Sequence, residues 1–270
     1  MSKSHCSSHT SCINSSRHAH SAHHGFHQLP IRPVAAFRAY RQFNQQDMSW
    51  LSQMKTKATY HADQLFTSDR MPDKVARLLC QERVLNVKEL LESFEFFQRV
   101  RHRISHTHVA DLCCGHGMVG ILFALLERKV EHVYLLDVKF PESSQAIVDI
   151  LNQHFPWVKD KIHYIQRSVK NAWQALPPSC NCVAVHACGI RSDWALQTAV
   201  HLQSHLAVMP CCYASKNYRA PKVIKQQLGT ELSMDIARTY FLEQQGYQVA
   251  WQEIPVCITV MNRIISASYI

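Results

Sequence analysis

The sequence has no long apolar run. No window approaches the 18 or so uninterrupted apolar residues of a membrane span, so none is expected. The N-terminus has no apolar h-region, which argues against a secretory signal. Acidic side chains are missing from the front of the chain: none precedes Asp47, and residues 1–60 set seven Lys/Arg against that one acid. Of the net charge of +9, those residues carry +6, so the remainder is only mildly basic. A basic front end suits contact with nucleic acid or a solvated tail. The missing acids also suit a mitochondrial transit peptide, although arginine is sparse there.

Residues 1–28 are low in complexity. Seven histidines and many serines cannot bury a core, so disorder is expected for a tail spanning residues 1–29. No ligand spacing in it resembles a closed zinc site. Cysteine, by contrast, is plentiful: eleven, an odd number, with Cys113-Cys114, Cys180-x-Cys182 and Cys211-Cys212 inside or beside apolar runs. That pattern reads as free thiols in a reducing compartment, and a cytoplasmic location is expected.

Pro30 and Pro33 mark a boundary, after which residues 30–104 read as a helical N-terminal region. In "VKELLESFEFFQRVRHRI", Leu90, Phe94, Phe97 and Ile104 recur along one face. This helix is expected to pack on the following domain and roof its pocket. Residues 105–270 alternate short apolar runs with amphipathic segments. Strands are predicted at 108–113, 132–137, 161–166, 182–187, 206–211, 247–254 and 262–269. Helices are predicted at 118–128, 142–154, 171–175, 192–204 and 231–245. The implied fold class is α/β, a doubly wound, seven-stranded, mostly parallel sheet. No crossover helix separates the last two strands, so the sheet should end in an antiparallel hairpin.

The loop after the first strand reads "DLCCGHGMVG", with Gly115, Gly117 and Gly120 at the spacing of a dinucleotide cradle. Asp111 argues against a diphosphate there, because its carboxylate would repel one. The α-ammonium and sulfonium of S-adenosylmethionine would instead be attracted. Asp137 ends the second predicted strand, where an acid accepts ribose hydroxyls. "VADLCCGHG" resembles motif I of class I S-adenosylmethionine-dependent methyltransferases, usually D-L-G-C-G-x-G, with Cys113 in place of the first glycine. The resemblance covers residues 108–270. It implies S-adenosylmethionine as cofactor, with Asp111, Cys113, Gly115, Gly117, Asp137 and His186 at its site. Ser168 stands in for the polar group that the family places after the third strand.

His186-x-Cys188-Gly189 follows the fourth predicted strand, and Pro210-Cys211-Cys212-Tyr213 the fifth. This pair, with "ITVMNRIISA", is similar to a subgroup that includes methyltransferase-like 25 proteins and glutathione-transferase-C-terminal-domain-containing proteins. A related pairing occurs in tRNA acceptor-stem 2′-O-methyltransferases. Subgroup members do not share one acceptor. Several roles are open for the thiols: packing, lining the pocket, or attack by Cys211 on a base, as in RNA cytosine-5 methyltransferases. A zinc site from His186, Cys188, Cys211 and Cys212 is conceivable, but adjacent cysteine side chains tend to diverge, so no metal is expected. The catalytic candidates are His186, Cys188, Asp193 and Cys211, with His186 and Asp193 the groups to accept a proton. The D/N-P-P-Y/F motif of exocyclic amine methylation is missing. Lys216, Arg219, Lys222 and Lys225, interleaved with Tyr213 and Tyr218, suit a nucleic-acid backbone and a stacked base, or a solvated lysine surface.

The resulting expectation is a methyltransferase acting on RNA (tRNA or rRNA), or else on protein. Its rivals are a catalytically inactive S-adenosylmethionine-binding module and, from the glycine spacing alone, an NAD-dependent oxidoreductase.

Overall fold

The computed structural model describes residues 34–53, 64–213 and 220–270. The predicted tail at residues 1–29, and Lys216 and Arg219, lie outside them. Two helices come first: α1 (Met71–Gln81) and α2 (Val87–Ile104). There follow β1 (His108–Leu112), α3 (Met118–Leu126), β2 (His132–Asp137), α4 (Glu142–His154), α5 (Trp157–Lys161), β3 (Ile162–Gln166), β4 (Asn181–Val185), α6 (Ile190–Leu202) and β5 (Leu206–Met209). The chain closes with α7 (Lys222–Leu228), α8 (Thr230–Gln244), β6 (Tyr247–Glu253) and β7 (Arg263–Tyr269). Among the described residues, no helix is long and apolar enough to cross a membrane.

The strands form one seven-stranded sheet, ordered β3-β2-β1-β4-β5-β7-β6. The first five pair in parallel, and β7 runs antiparallel between β5 and β6. The predicted α/β architecture and its closing hairpin are therefore present. One face of the sheet is covered by α1 to α5 and the segment before them, the other by α6 and α8. From β1 the chain crosses to β2 on one side and later to β4 on the other. The carboxyl ends of β1 and β4 thus flank the switch point where open α/β sheets bind ligands.

Several predicted elements are corrected. Residues 34–53 and 64–70 hold only short 3-10 turns and irregular backbone in place of helix. The reason lies in Glu95 of α2, fully buried, whose carboxylate accepts the backbone N–H groups of Arg38, Ala39 and Tyr40. These donors are satisfied by a side chain, so no helical ladder is required. The core continues across residue 104: α2 and α3 share one apolar cluster, with Phe97 edge-on to Phe123. The predicted helix at 171–175 is a 3-10 turn, Ala172–Ala175. The helices α5 and α7 were not anticipated. The strands β4 and β5 stop at Val185 and Met209, leaving His186, Cys188 and Cys211 on loops.

Candidate active site

The β1–α3 loop reverses direction through three left-handed residues, Cys113 (φ +58°), Gly115 (φ +53°) and Gly117 (φ +78°). Glycine reaches that region freely, whereas a side chain costs roughly 1–2 kcal/mol there. A cysteine at the first of these positions is therefore strained. The glycines divide the remaining work. A Cβ on Gly120 would meet Leu135 Cδ2 at 2.6 Å and Asp111 Cβ at 3.0 Å, so Gly120 lets α3 lie close on the sheet. Gly117 meets Leu135 in the same way, whereas a Cβ on Gly115 would meet nothing within 4 Å. Gly115 is the glycine left facing open space.

Two carboxylates brace the loop. Asp111, only 3% exposed, accepts the Gly120 N–H at 2.8 Å. Burial pushes its carboxyl up to about 7, against the lowering effect of that hydrogen bond. Asp137 accepts the Gly115 N–H at 2.9 Å and the Val138 N–H at 2.7 Å. A carboxylate has about four lone-pair sites, so both acids retain acceptor capacity.

Two adjoining hollows open at this switch point, of about 260 Å³ and 220 Å³. Cys113 and His186 line both. Asp111 and the loop wall the first, beneath Glu89, Glu92 and Ser93 of α2, so the helix forms part of the pocket wall as expected. Asp137, Arg167, Ser168 and Arg191 wall the second. Neither hollow alone reaches the roughly 300 Å³ of an ordinary small-molecule site; side by side they do.

Sequence reasoning missed Glu92. Its carboxylate is buried, and Oε2 lies 2.8 Å from His186 Nε2. Oε1 has no hydrogen-bond partner, only the Lys88 ammonium 3.6 Å away. Its signal was an acid in a stretch of α2 buried almost all round. His116 Nε2 lies 3.7 Å from Glu89 Oε2, and its Nδ1 accepts the Met118 N–H. Burial holds His116 below the usual imidazole range.

The profile of a family described as a methyltransferase domain matches residues 82–217. The chain belongs to that methyltransferase family. The match spans both hollows and all the side chains named at them. The chain has no match among curated proteins.

Solved structures resemble this methyltransferase domain at low identity. An O-methyltransferase family protein from Burkholderia thailandensis is 11% identical at a TM-score of 0.41, covering 88% of this chain; the chain spans 64% of that protein's length. A putative rRNA methylase from Clostridium thermocellum is 11% identical at a TM-score of 0.43, covering 64% of this chain and 92% of its own. An S-adenosylmethionine-dependent methyltransferase from Aquifex aeolicus is 14% identical at a TM-score of 0.40, covering 74% and 98%. At such distances none of them bears on what this chain acts on.

The remaining sequence candidates are placed differently. Asp193 is buried on α6 and lines neither hollow; its Oδ1 accepts from Arg238 Nε at 3.0 Å. The structure thus places Asp193, a sequence candidate for proton acceptor, in an ion pair with Arg238 outside both hollows. Cys188 and Cys211 are also absent from the walls of both hollows. Burial and the neighbouring thiols push Cys211 up, opposite to what a nucleophilic thiolate needs. Cys113 is pushed up to about 12, again mainly by burial. Lys222 is exposed and lies with Lys225 on α7, which buries none of its residues.

The stretches that resemble the subgroup's motifs make structural contacts. Tyr213 of P-C-C-Y donates to the fully buried Asp235 at 2.9 Å. Arg263, from "ITVMNRIISA", donates to the same carboxylate at 2.7 Å, and Asn262 donates to the Ile254 carbonyl at 2.7 Å. Through Asp235, Arg263 therefore helps anchor the loop that carries Cys211 and Cys212.

Proposed function

We propose that the paired hollows bind S-adenosylmethionine and that this methyltransferase methylates RNA. The reading rests on Glu92 Oε1, a buried carboxylate oxygen with no hydrogen-bond partner on the wall shared with Asp111. An unsatisfied buried acceptor is costly, and a ligand ammonium offsets that cost where a diphosphate would be repelled. The residues present thus fit the cofactor. Asp111 and Glu92 would hold its amino-acid end, Asp137 its ribose hydroxyls, and Ser168 its base edge, with Gly115 leaving room for close approach. When bound, the cofactor supplies an electrophilic methyl group on a cationic sulfur.

The chain's own contribution is alignment, exclusion of water and one proton acceptor. Methyl transfer from a sulfonium is a direct displacement that depends on alignment. With Glu92 ionised, the short contact selects the His186 tautomer that donates from Nε2, which leaves Nδ1 as the acceptor for an acceptor-group proton. Support for an RNA acceptor comes from the basic front end and from Lys222 and Lys225 beyond the P-C-C-Y loop. Support for a reducing, cytoplasmic setting comes from Cys180 and Cys182, each a buried thiol outside any disulfide.

Calorimetry with S-adenosylmethionine and radiolabelled methyl transfer to RNA and protein fractions of a deletion strain test the reading. Glu92→Gln should weaken cofactor binding by about 1.5–3 kcal/mol, the worth of a charge-assisted hydrogen bond. Label in protein alone would replace the acceptor. Binding without label in either fraction would leave a binding module, and binding of NAD but not S-adenosylhomocysteine would overturn the cofactor.

A further inference from the structure

Beside the cleft, and lining neither hollow, three thiols from two loops converge. Cys188 Sγ lies 3.1 Å from Cys211 Sγ and 3.2 Å from Cys212 Sγ, and the last two are 3.6 Å apart. The expectation that the adjacent pair would diverge is not met: all three sulfurs lie within 3.6 Å of one another. We propose that Cys188, Cys211 and Cys212 bind a single thiophilic divalent cation, of which zinc is the biological representative, through three thiolates and one open position.

The geometry is close to what that ion needs. A Zn–S distance of about 2.3 Å in a tetrahedral site sets sulfurs about 3.8 Å apart. The observed triangle reaches that by opening about 0.7 and 0.6 Å on the two Cys188 edges and about 0.2 Å on the third. As three neutral thiols the cluster gains little, because S–H is a weak donor and sulfur a weak acceptor. A cation at the centre supplies the missing attraction. Each ligating thiol releases its proton to solvent as the metal–sulfur bond forms, so occupancy should rise with pH.

The two loops are tied together before any ion arrives. The Gly189 N–H donates to the Cys212 carbonyl at 3.2 Å, and the His186 N–H to the Met209 carbonyl at 3.4 Å. Gly189 follows Cys188 at φ +62° and ψ −126°, a combination for glycine. Tyr213, next to Cys212, is held by Asp235. A site built from rigid backbone loses less entropy on binding.

No fourth His, Cys, Asp or Glu among the described residues completes the cluster. Three protein ligands and an open position match the ligand count of catalytic zinc sites; structural sites carry four. Cys212 is exposed and Cys188 and Cys211 are half-buried, so a water or a solute ligand can reach the fourth position. His186 begins the loop that carries Cys188, so the cluster and the proposed proton acceptor share one segment. The inference rests on the sulfur geometry and stands whether or not the cleft binds S-adenosylmethionine.

The test uses the full-length chain, reduced and stripped of metal, titrated with Co(II) and then with Zn(II) against a chromophoric chelator. The expected result is a thiolate-to-cobalt charge-transfer band with tetrahedral visible bands, displaced by one equivalent of zinc. Cys188→Ser and Cys212→Ser should each weaken zinc by at least the roughly tenfold seen for outer-shell partners. Absence of the charge-transfer band in the wild-type chain would overturn the proposal without recourse to any variant. So would unchanged zinc affinity in a folded C188S/C211S/C212S chain, which would assign the metal to the histidines of residues 1–28.

Discussion

Cys113 occupies a left-handed position that the related motif gives to glycine, and the chain accepts that strain at the mouth of its cleft. Backbone strain of this kind persists only where surrounding contacts over-determine it; here Asp137 holds Gly115, two residues on, and Asp111 the first turn of α3. Asp111 carries a consequence for pH. Its carboxyl sits near 7 when folded, against about 4 unfolded, so the folded state binds the proton more tightly. Its contribution to stability is full below about pH 4 and is lost as pH rises towards about 7. A cationic ligand prefers the carboxylate, so S-adenosylmethionine affinity should climb with pH to about 7 and then flatten. Calorimetry across that range, in buffers of different ionisation heat, should also show proton release on binding below about pH 7. Asp111→Asn should abolish the slope; a flat wild-type profile would remove Asp111 from the site.

The helix α2 shows what periodicity reveals and what it hides. Leu90, Phe94, Phe97 and Ile104 are fully buried, as the 3.6-residue repeat required. The repeat could not show why Glu92, Glu95 and Arg99 are buried as well, because each has a partner far away in sequence. Glu95 receives Arg38, Ala39 and Tyr40 on one side and Arg99 on the other. Arg99 in turn reaches the carbonyls of Ala36 and Glu253, so one ion pair joins the N-terminal segment, α2 and β6. Breaking a buried pair leaves a charge uncompensated. Glu95→Gln should therefore lower unfolding free energy by about 3–5 kcal/mol in urea titrations. A loss below about 1 kcal/mol would show that the clamp is dispensable.

On the scale of the whole molecule, the strand order 3-2-1-4-5-7-6 brings Asp111, Cys113 and His186 from distant segments to one switch point. A second convergence lies around Asp235, which joins Tyr213, Arg238 and Arg263, while Arg238 pairs with Asp193. These contacts link α6, α8, β7 and the P-C-C-Y loop. Asp235→Asn should cost about 3–5 kcal/mol of stability by the same argument, and should speed hydrogen exchange in Cys211, Cys212 and Tyr213. Unaltered exchange there would detach the thiol loop from the network.

By itself, the sequence determined the alternation of strands and helices, the closing hairpin, the glycine loop and the two acids at strand ends. Each of these is a local pattern, set by hydrophobic period, turn chemistry or spacing within one βα unit. Only the tertiary structure decided that Glu92 faces His186, that Asp193 is engaged by Arg238, and that three thiols meet at one point. Those pairings join side chains 94, 45 and 23 residues apart, and no local pattern records a contact that exists only once the sheet has closed.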